Sequence, residues 1–455
     1  MNAQKEEKHL SFIQKIGYGI GDAGSNLSWT FIASFLLIYC TDTLGISSAV
    51  VGTLLMISKI LDGISDVIMG RIIDATRSKM GKARFWVFVS GFPVALFTYF
   101  LFNVPGTFTE NTKYIYVFVV YTLIGAVFYT MNNIAYSALS ALCTKNQKDR
   151  VQMGSYRSIF AIVAVLILSS ITGGLVEYFG GGQQGWKMVA LIYSVISVIL
   201  LEIPVIAVKE LPPEELETNN AENANEENVG FLTALKLLVK NKYFLMILAL
   251  YLIMYLAGGI TGGMGIYFAT YQLGNASYLG TLNFASMLPI MIALPFVARL
   301  TAKLGIRNSC IAGHGVGVLG AVLIIAGGLL GNFPLVLVGF VLKAFGSAPQ
   351  SGALNALIAE VDDYSYLKLG HRLTGTIYAC SSVGLKVGTG LGTAVCGWHL
   401  AFGGYDGTAA AQTATAISTI NWSYLLAQAL LPVLSIVLFY FLKVEKENKH
   451  LRKTK

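Results

Sequence analysis

Charge is what this sequence has least of: Asp, Glu, Lys and Arg make up 12% of its 455 residues, against 55% hydrophobic residues. With a mean hydropathy of +0.64, so little charge is hard to reconcile with a water-facing surface, which argues against a soluble enzyme. The formal net charge of +8 does not point to nucleic acid, because the basic residues gather in short segments between apolar runs. Histidines are few, and His9, His314, His371, His399 and His450 are scattered without ligand spacing. Cys40, Cys143, Cys310, Cys380 and Cys396 lie in or beside apolar runs with neither metal nor redox spacing, so they read as packing residues rather than a disulfide framework. There is no P-loop, hence no direct use of ATP, and no nucleophile, base or metal set that suits a membrane-embedded enzyme. Gly315-Val-Gly-Val-Leu-Gly320 matches a dinucleotide fingerprint, but it sits inside an apolar run, where close helix packing explains the small residues better. The first twenty residues are polar and charged, so no cleavable signal peptide is expected and the first span directs insertion.

What the chain does have is apolar runs of bilayer-spanning length, about twelve of them. They fall near 20–43, 47–70, 84–104, 114–142, 154–177, 186–208, 243–270, 277–298, 308–330, 333–360, 374–402 and 418–442. Basic residues follow the even-numbered runs: Arg71, Arg77, Lys79, Lys82 and Arg84 after the second, Lys145, Lys148 and Arg150 after the fourth, Arg299, Lys303 and Arg307 after the eighth. Odd-numbered loops carry little beyond Lys113 and Lys187. This alternation predicts both termini in the cytoplasm of a multi-pass protein of the inner (plasma) membrane. The longest polar stretch, with Pro212, Pro213 and a run of Glu and Asn, reads as a cytoplasmic linker over 209–230 between six-helix halves at 1–208 and 231–455. A faint echo between Gly70–Lys82 and Ala298–Arg307 agrees with a duplication, whose site belongs at the midplane between the halves.

Charges inside the apolar runs are the sharper signal. Asp62 and Asp66 are four residues apart, so they share one helix face, and exposing them to lipid would cost several kcal/mol. They are expected to face a wet or paired interior. Lys59, three residues before Asp62, is placed for a structural ion pair. Arg157 and Glu202 lie near helix ends and could reach the interface, although a guanidinium also forks well onto hydroxyls or carboxylates. Lys343 is a further intramembrane cation, and Lys386 lies too deep for easy snorkelling, which points to a polar cavity. Gly258, Gly259, Gly262, Gly263 and Gly265 crowd the seventh run, either to break a helix near substrate or to let helices approach closely.

Several motifs carry a resemblance across essentially the whole chain: Tyr18-Gly-Ile-Gly-Asp22 leading to Asn26, Tyr39-Cys-Thr-Asp42, Asp62-Gly-Ile-Ser-Asp66 with Gly70, and Ala75-Thr-Arg-Ser-Lys-Met-Gly-Lys82. Glu360-Val-Asp-Asp-Tyr364, Gly370-His-Arg372 and Gly375 to Lys386 continue it in the second half. In these the sequence resembles the glycoside-pentoside-hexuronide cation symporters of the major facilitator superfamily, which include the melibiose and glucuronide permeases. The resemblance implies an all-α major facilitator fold with about twelve transmembrane helices in two pseudo-symmetric halves. It implies a cation site at Asp62, Asp66 and Ser65 with Thr130 nearby. It implies a sugar site drawing on Asn26, Asn133, Ser137, Arg157, Ser351, Ser382 and Lys386. The loop with Asp74, Arg77 and Lys82 is expected to gate the cytoplasmic side through ion pairs.

The chain departs from the melibiose permease pattern: Asn26 and Asn133 stand where that pattern has sugar-site aspartates, Ser65 where it has an asparagine, and Ser137 and Ser351 where it has tryptophans. Two amides in place of carboxylates, with Arg157 and Lys386 kept, leave a more positive cavity that favours an anionic hexuronide. A neutral glycoside or xyloside stays open, because Asn also binds sugar hydroxyls. Losing a carboxylate at Asn133 weakens a sodium site, whereas a proton needs a single carboxylate held away from water; proton coupling is favoured and sodium at Asp62 and Asp66 remains open. The expected activity is symport by alternating access, with no cofactor, no nucleic-acid partner, a small sugar as substrate, lipid around it and a monomeric state. A polytopic sensor or scaffold that transports nothing is the alternative.

Overall fold

The protein is described by a computed structural model over residues 9–212, 236–370 and 374–454. All regular structure among the described residues is helical. The helices are α1 Phe12–Ile38, α2 Ser48–Ala75, α3 Lys82–Leu101, α4 Glu110–Thr122, α5 Thr130–Leu142, α6 Gln147–Tyr178 and α7 Gly182–Ala207, then α8 Lys242–Tyr267, α9 Tyr278–Leu304, α10 Ile306–Leu329, α11 Phe333–Leu369, α12 Thr374–Phe402, α13 Ala414–Phe441 and the short α14 Val444–Thr454. α4 and α5 form one span, joined by a π-helical stretch at Leu123–Tyr129. Among the described residues eleven helices are long and apolar enough to cross a membrane. α12 matches them in length, with 29 residues, and its glycines, threonines and Lys386 dilute its hydropathy. The linker expected at 209–230 falls mostly on 213–235, outside the described residues, as do His371 and Arg372.

Contacts divide the chain into two compact units, Met1–Ala224 with Asp406–Ala411, and Asn225–Tyr405 with Gln412–Lys455. In the first unit α1 is the central element, packed on α6 and α7. The reason is in its sequence: a Cβ at Gly21 would stand 2.4 Å from Pro204 of α7, and one at Gly19 2.8 Å from Tyr156 of α6. Small residues replace the missing hydrophobic drive between helices in lipid with close van der Waals contact. The second unit repeats the device between α8 and α12, where a Cβ at Gly259 would meet the Gly392 Cα at 3.0 Å. That settles the two readings of the glycine cluster: α8 runs unbroken through it, and Gly259 and Gly263 serve close approach to α12. The dinucleotide-like glycines likewise lie within α10, and Gly320 lets α10 approach Gly339 and Lys343 of α11.

The faint repeat in the sequence is built into both units as a matched joint. α3 starts after Gly81, whose φ of 106° suits only glycine, and its first N–H groups, from Lys82, Ala83 and Arg84, each donate to the Glu210 carboxylate at 2.8 Å. The Arg84 guanidinium then reaches the Val205 carbonyl at the end of α7. In the second unit α10 starts after Gly305, with φ 79°, the Ile306 and Arg307 N–H groups donate to Glu445 at 3.1 Å, and the Arg307 guanidinium reaches the Phe439 and Tyr440 carbonyls at the end of α13. A carboxylate at a helix N-terminus meets both orphan donors and the positive end of the dipole.

Glu210→Ala and Glu445→Ala are each expected to cost about 1–2 kcal/mol of stability, with Gln at either position recovering part of the loss because its oxygen still accepts. Melting of the purified protein checks this; midpoints unchanged in both alanine variants would remove the role.

Candidate functional site

The first unit holds two adjoining polar clusters. Asp62 and Asp66 project from one face of α2, as their spacing predicts, and both meet Thr130 at the first turn of α5. Thr130 Oγ1 lies 2.7 Å from Asp62 Oδ1, 3.1 Å from Asp66 Oδ1 and 3.0 Å from the Gly125 carbonyl. Gly125 belongs to the π-helical stretch, which brings its carbonyl within reach of a residue five positions on. Asp62 is only 4% exposed and Thr130 3%. On the far side of Asp62, Lys59 Nζ sits 3.2 Å from Oδ2 and 3.6 Å above the ring of Trp29 on α1, so the ammonium is held by a carboxylate and a π face together. Trp29 in turn packs on Tyr129, ring centroids 4.7 Å apart. Ser65 is close by, but its hydroxyl donates to the Asp62 carbonyl of its own helix at 2.9 Å.

The second cluster ties α1, α5 and α6 together through Arg157. Its guanidinium forks: Nε donates to Asp22 Oδ1 at 2.9 Å, Nη1 to Ser137 Oγ at 2.9 Å and Nη2 to Asn133 Oδ1 at 3.4 Å. Its flat face lies 4.7 Å from the Tyr136 ring centroid. Asn26 completes the ribbon, donating to the Asp22 carbonyl at 2.8 Å and accepting from Thr30 at 3.2 Å. Arg157 therefore turns inward instead of snorkelling to the interface. Beneath it Tyr18 and Tyr136 stack at 4.6 Å and each hydroxyl donates to the other's backbone carbonyl, which fixes α1 against α5.

Asn26, Asn133, Ser137 and Arg157 thus come together in one unit, as do Asp62, Asp66 and Thr130. Ser351, Ser382 and Lys386 belong to the other unit. There Ser351 and Ser382 are exposed and Lys386 is half-buried on α12, while the Ser351 hydroxyl donates to the Ser347 carbonyl. In the loop expected to gate the cytoplasmic side, Arg77 and Lys82 are exposed, and Lys82 is engaged through its backbone N–H by Glu210. Asp74 lies on α2 with its side chain outside the described residues. Glu202 turns toward α3: it is half-buried against Gly91, and its Oε2 has no hydrogen-bond partner among the described residues. Lys343 donates to Gln428 of α13, which is fully buried. Among the described residues no group of three or more His, Cys, Asp or Glu could hold a metal ion.

Two residues at the centre of these clusters carried no weight in the sequence reading. Asp22 was part of a motif only, yet it lies four residues before Asn26 and so shares its face of α1; that spacing was the available signal. Trp29 gave no signal, because an aromatic on an apolar helix is ordinary lining until a cation is found beneath it.

Asp22→Asn is expected to leave Arg157 without its charge partner and to cost about 1–3 kcal/mol, less than a fully buried pair because both groups keep some water access. The double change with Arg157→Gln should recover most of that loss. Thermal melting of the two variants side by side decides; a double variant no more stable than the single one would contradict the pairing.

The sequence model of the MFS/sugar transport protein family matches residues 17–446. The isoprimeverose transporter of Lactiplantibacillus pentosus is 30% identical over 441 residues, covering 95% of this chain and 89% of its own. The uncharacterized symporter YnaJ of Bacillus subtilis (strain 168) is 28% identical over 458 residues, covering 98% and 95%. Among solved structures, a bacterial homolog of the human lysosomal transporter Spinster superposes with a TM-score of 0.68 at 11% identity, covering 96% of this chain and 97% of that one, which speaks to the fold alone. The chain belongs to the MFS/sugar transport protein family and is a membrane transporter of the glycoside-pentoside-hexuronide cation symporter type, not an enzyme.

Proposed function

We propose that the protein couples inward proton movement at Asp62, Asp66 and Thr130 to uptake of a neutral glycoside or pentoside. One observation carries the cation half. The Thr130 hydroxyl has a single hydrogen to give, yet three acceptor oxygens surround it at 2.7–3.1 Å. The remaining contacts call for an added cation. Lys59 lies against Asp62, and a proton shared among these oxygens would offset carboxylate charge on the side facing Thr130. The Asp62 and Gly125 oxygens lie within the usual O–H···O range and the Asp66 oxygen just beyond it, close enough for a hydrogen to pass among them. A sodium ion would need several oxygens spread around it, and the ammonium of Lys59 already occupies one side of Asp62.

The sugar half follows from Arg157. Counted alone it makes the cavity positive and favours an anionic substrate; counted with Asp22 at 2.9 Å it is neutralised. In the first unit what remains is a ribbon of amide, hydroxyl and guanidinium groups suited to sugar hydroxyls, with Lys386 the one cation of the proposed set that this pair does not offset. The likeness to an isoprimeverose transporter supports the neutral class. In this reading Asn26, Asn133, Ser137 and Arg157 hold sugar from the first unit, and Ser351, Ser382 and Lys386 contribute from the second.

Coupling between ion and sugar is local. Trp29 follows Asn26 by three residues on α1, and Asn133 follows Thr130 by three on α5, so each helix carries one residue of each cluster on the same face. A proton that changes how Thr130 and Lys59 are held moves the same two helices that present the sugar ligands, and the effect is reciprocal. The two halves then alternate access, with both termini in the cytoplasm as the basic loops indicate, and the turn bearing Asp74, Arg77 and Lys82 serves the cytoplasmic gate.

The test is uptake of a labelled neutral xyloside and a labelled glucuronide into reconstituted vesicles under a proton or a sodium gradient. The proton gradient should accumulate the xyloside. Asp62→Asn and Asp66→Asn should lower accumulation at least about tenfold while leaving exchange of pre-loaded sugar measurable, since they remove the driving ion rather than the sugar ligands. Accumulation under sodium alone would replace the ion, accumulation of the glucuronide alone would replace the substrate class, and no accumulation of either by folded protein would overturn symport of these sugars.

A further inference from the structure

On α9 the residues Ile292, Phe296, Arg299 and Lys303 fall at successive turns of one helix face, so a single stripe passes from aliphatic and aromatic side chains to two cations. α11 supplies the opposite wall with Phe345, Ala348 and Pro349, again one turn of one face. Because Ala293 and Ala348 are small, the walls do not meet, and a groove of about 470 Å³ runs between them. It closes at one end where α9 and α11 converge: a Cβ at Gly352 would stand 3.0 Å from Val297 Cγ1. Phe296 is 59% exposed and Phe345 40%. Arg299 and Lys303 are exposed and make no ion pair or side-chain hydrogen bond among the described residues.

We infer that this groove seats one acyl chain of an anionic phospholipid, with its phosphate between Arg299 and Lys303. The apolar walls and the cationic end are continuous along one helix face, which matches a molecule that is apolar along its length and anionic at its end. A sugar has no apolar length to bury there. A zwitterionic lipid brings its own ammonium to two cations, whereas an acidic headgroup meets both of them. A free phosphate would leave the apolar walls uncovered. The residues lining the groove all belong to the second unit, and none of them is among the proposed sugar or cation residues.

Native mass spectrometry of the full-length protein, titrated with phosphatidylglycerol, phosphatidylethanolamine or inorganic phosphate, tests it. The wild type should retain one phosphatidylglycerol far more strongly than phosphatidylethanolamine. R299Q/K303Q should weaken that retention roughly tenfold or more, in line with the contribution of basic residues to acidic-lipid binding. Ala348→Phe, which keeps both charges and fills the groove, should weaken it as well. Melting curves of each variant report folding; if Ala348→Phe does not fold, R299Q/K303Q decides alone, since it changes only exposed side chains. Equal retention of both lipids in wild type and R299Q/K303Q would overturn the inference. So would displacement of phosphatidylglycerol by inorganic phosphate, which would make the site a headgroup site without a chain. A cysteine at Phe296 that cross-links to the first unit in the presence of phosphatidylglycerol would overturn it too, because protein rather than lipid would then cover the groove.

Discussion

A charge within a bilayer has to be met by something nearby, and the interior of this protein is organised by that requirement. Lys59 is met by Asp62 and by the face of Trp29. Arg157 is met by Asp22, with Ser137 and Asn133 taking its other hydrogens. Lys343 is met by the amide of Gln428. The Lys59–Asp62 pair lies within α2, but the other contacts reach across helices and so fix which helices lie side by side. In the first unit the cation–π contact of Lys59 with Trp29 joins α2 to α1 and the Arg157–Asp22 pair joins α6 to α1, and the clusters proposed to bind the ion and the sugar include those same contacts. In the proposed reading, binding chemistry and helix placement are one set of bonds, so an added proton or sugar would move helices.

The spans were readable because lipid leaves a strong compositional mark, and all twelve runs correspond to helices. The ends were less readable. α1 starts at Phe12, well before the apolar run, because Ser11 and Gln14 form a reciprocal cap that starts the helix among polar residues. α11 runs on to Leu369 beyond the apolar stretch, since a helix has no need to stop where the lipid does. Within the candidate site, the shared face of Asp62 and Asp66 followed from spacing alone. Their meeting with Thr130 did not, because it depends on how α2 and α5 cross. The partner of Arg157 escaped the sequence reading for a related reason: Arg157 and Asp22 are 135 positions apart in sequence, and no local pattern announces such a pair.

The matched joints at Glu210 and Glu445 bear on how the two units arose and how they work. A weak similarity of loop sequences became, in three dimensions, the same four parts in each unit: a glycine with positive φ, a helix start, a carboxylate that receives its N–H groups and an arginine that binds the end of another helix. In both units the joint fastens neighbouring helices at one of their ends. The sequence reading expected ion pairs of Asp74, Arg77 and Lys82 in this region; the contacts to Glu210 run through backbone N–H groups, which no side-chain pattern displays.

The π-helical stretch at Leu123–Tyr129 has a consequence for how the site tolerates change in chain length. Such a stretch is an α-helix carrying one surplus residue. Losing a single residue there would return the segment to an ordinary α-helix, keep the span long enough for the bilayer and leave both flanking loops intact. Beyond it the helix would keep its phase, because the surplus residue is what the stretch absorbs, so Thr130 and Asn133 would stay on their face while Thr130 Oγ1 lost the carbonyl five positions back that it now meets. A residue lost from the regular helix between Thr130 and Asn133 would instead turn one against the other by about 100° and part the two clusters; the π-helical stretch is thus where this span absorbs a change in length, and the turn after it is where it cannot.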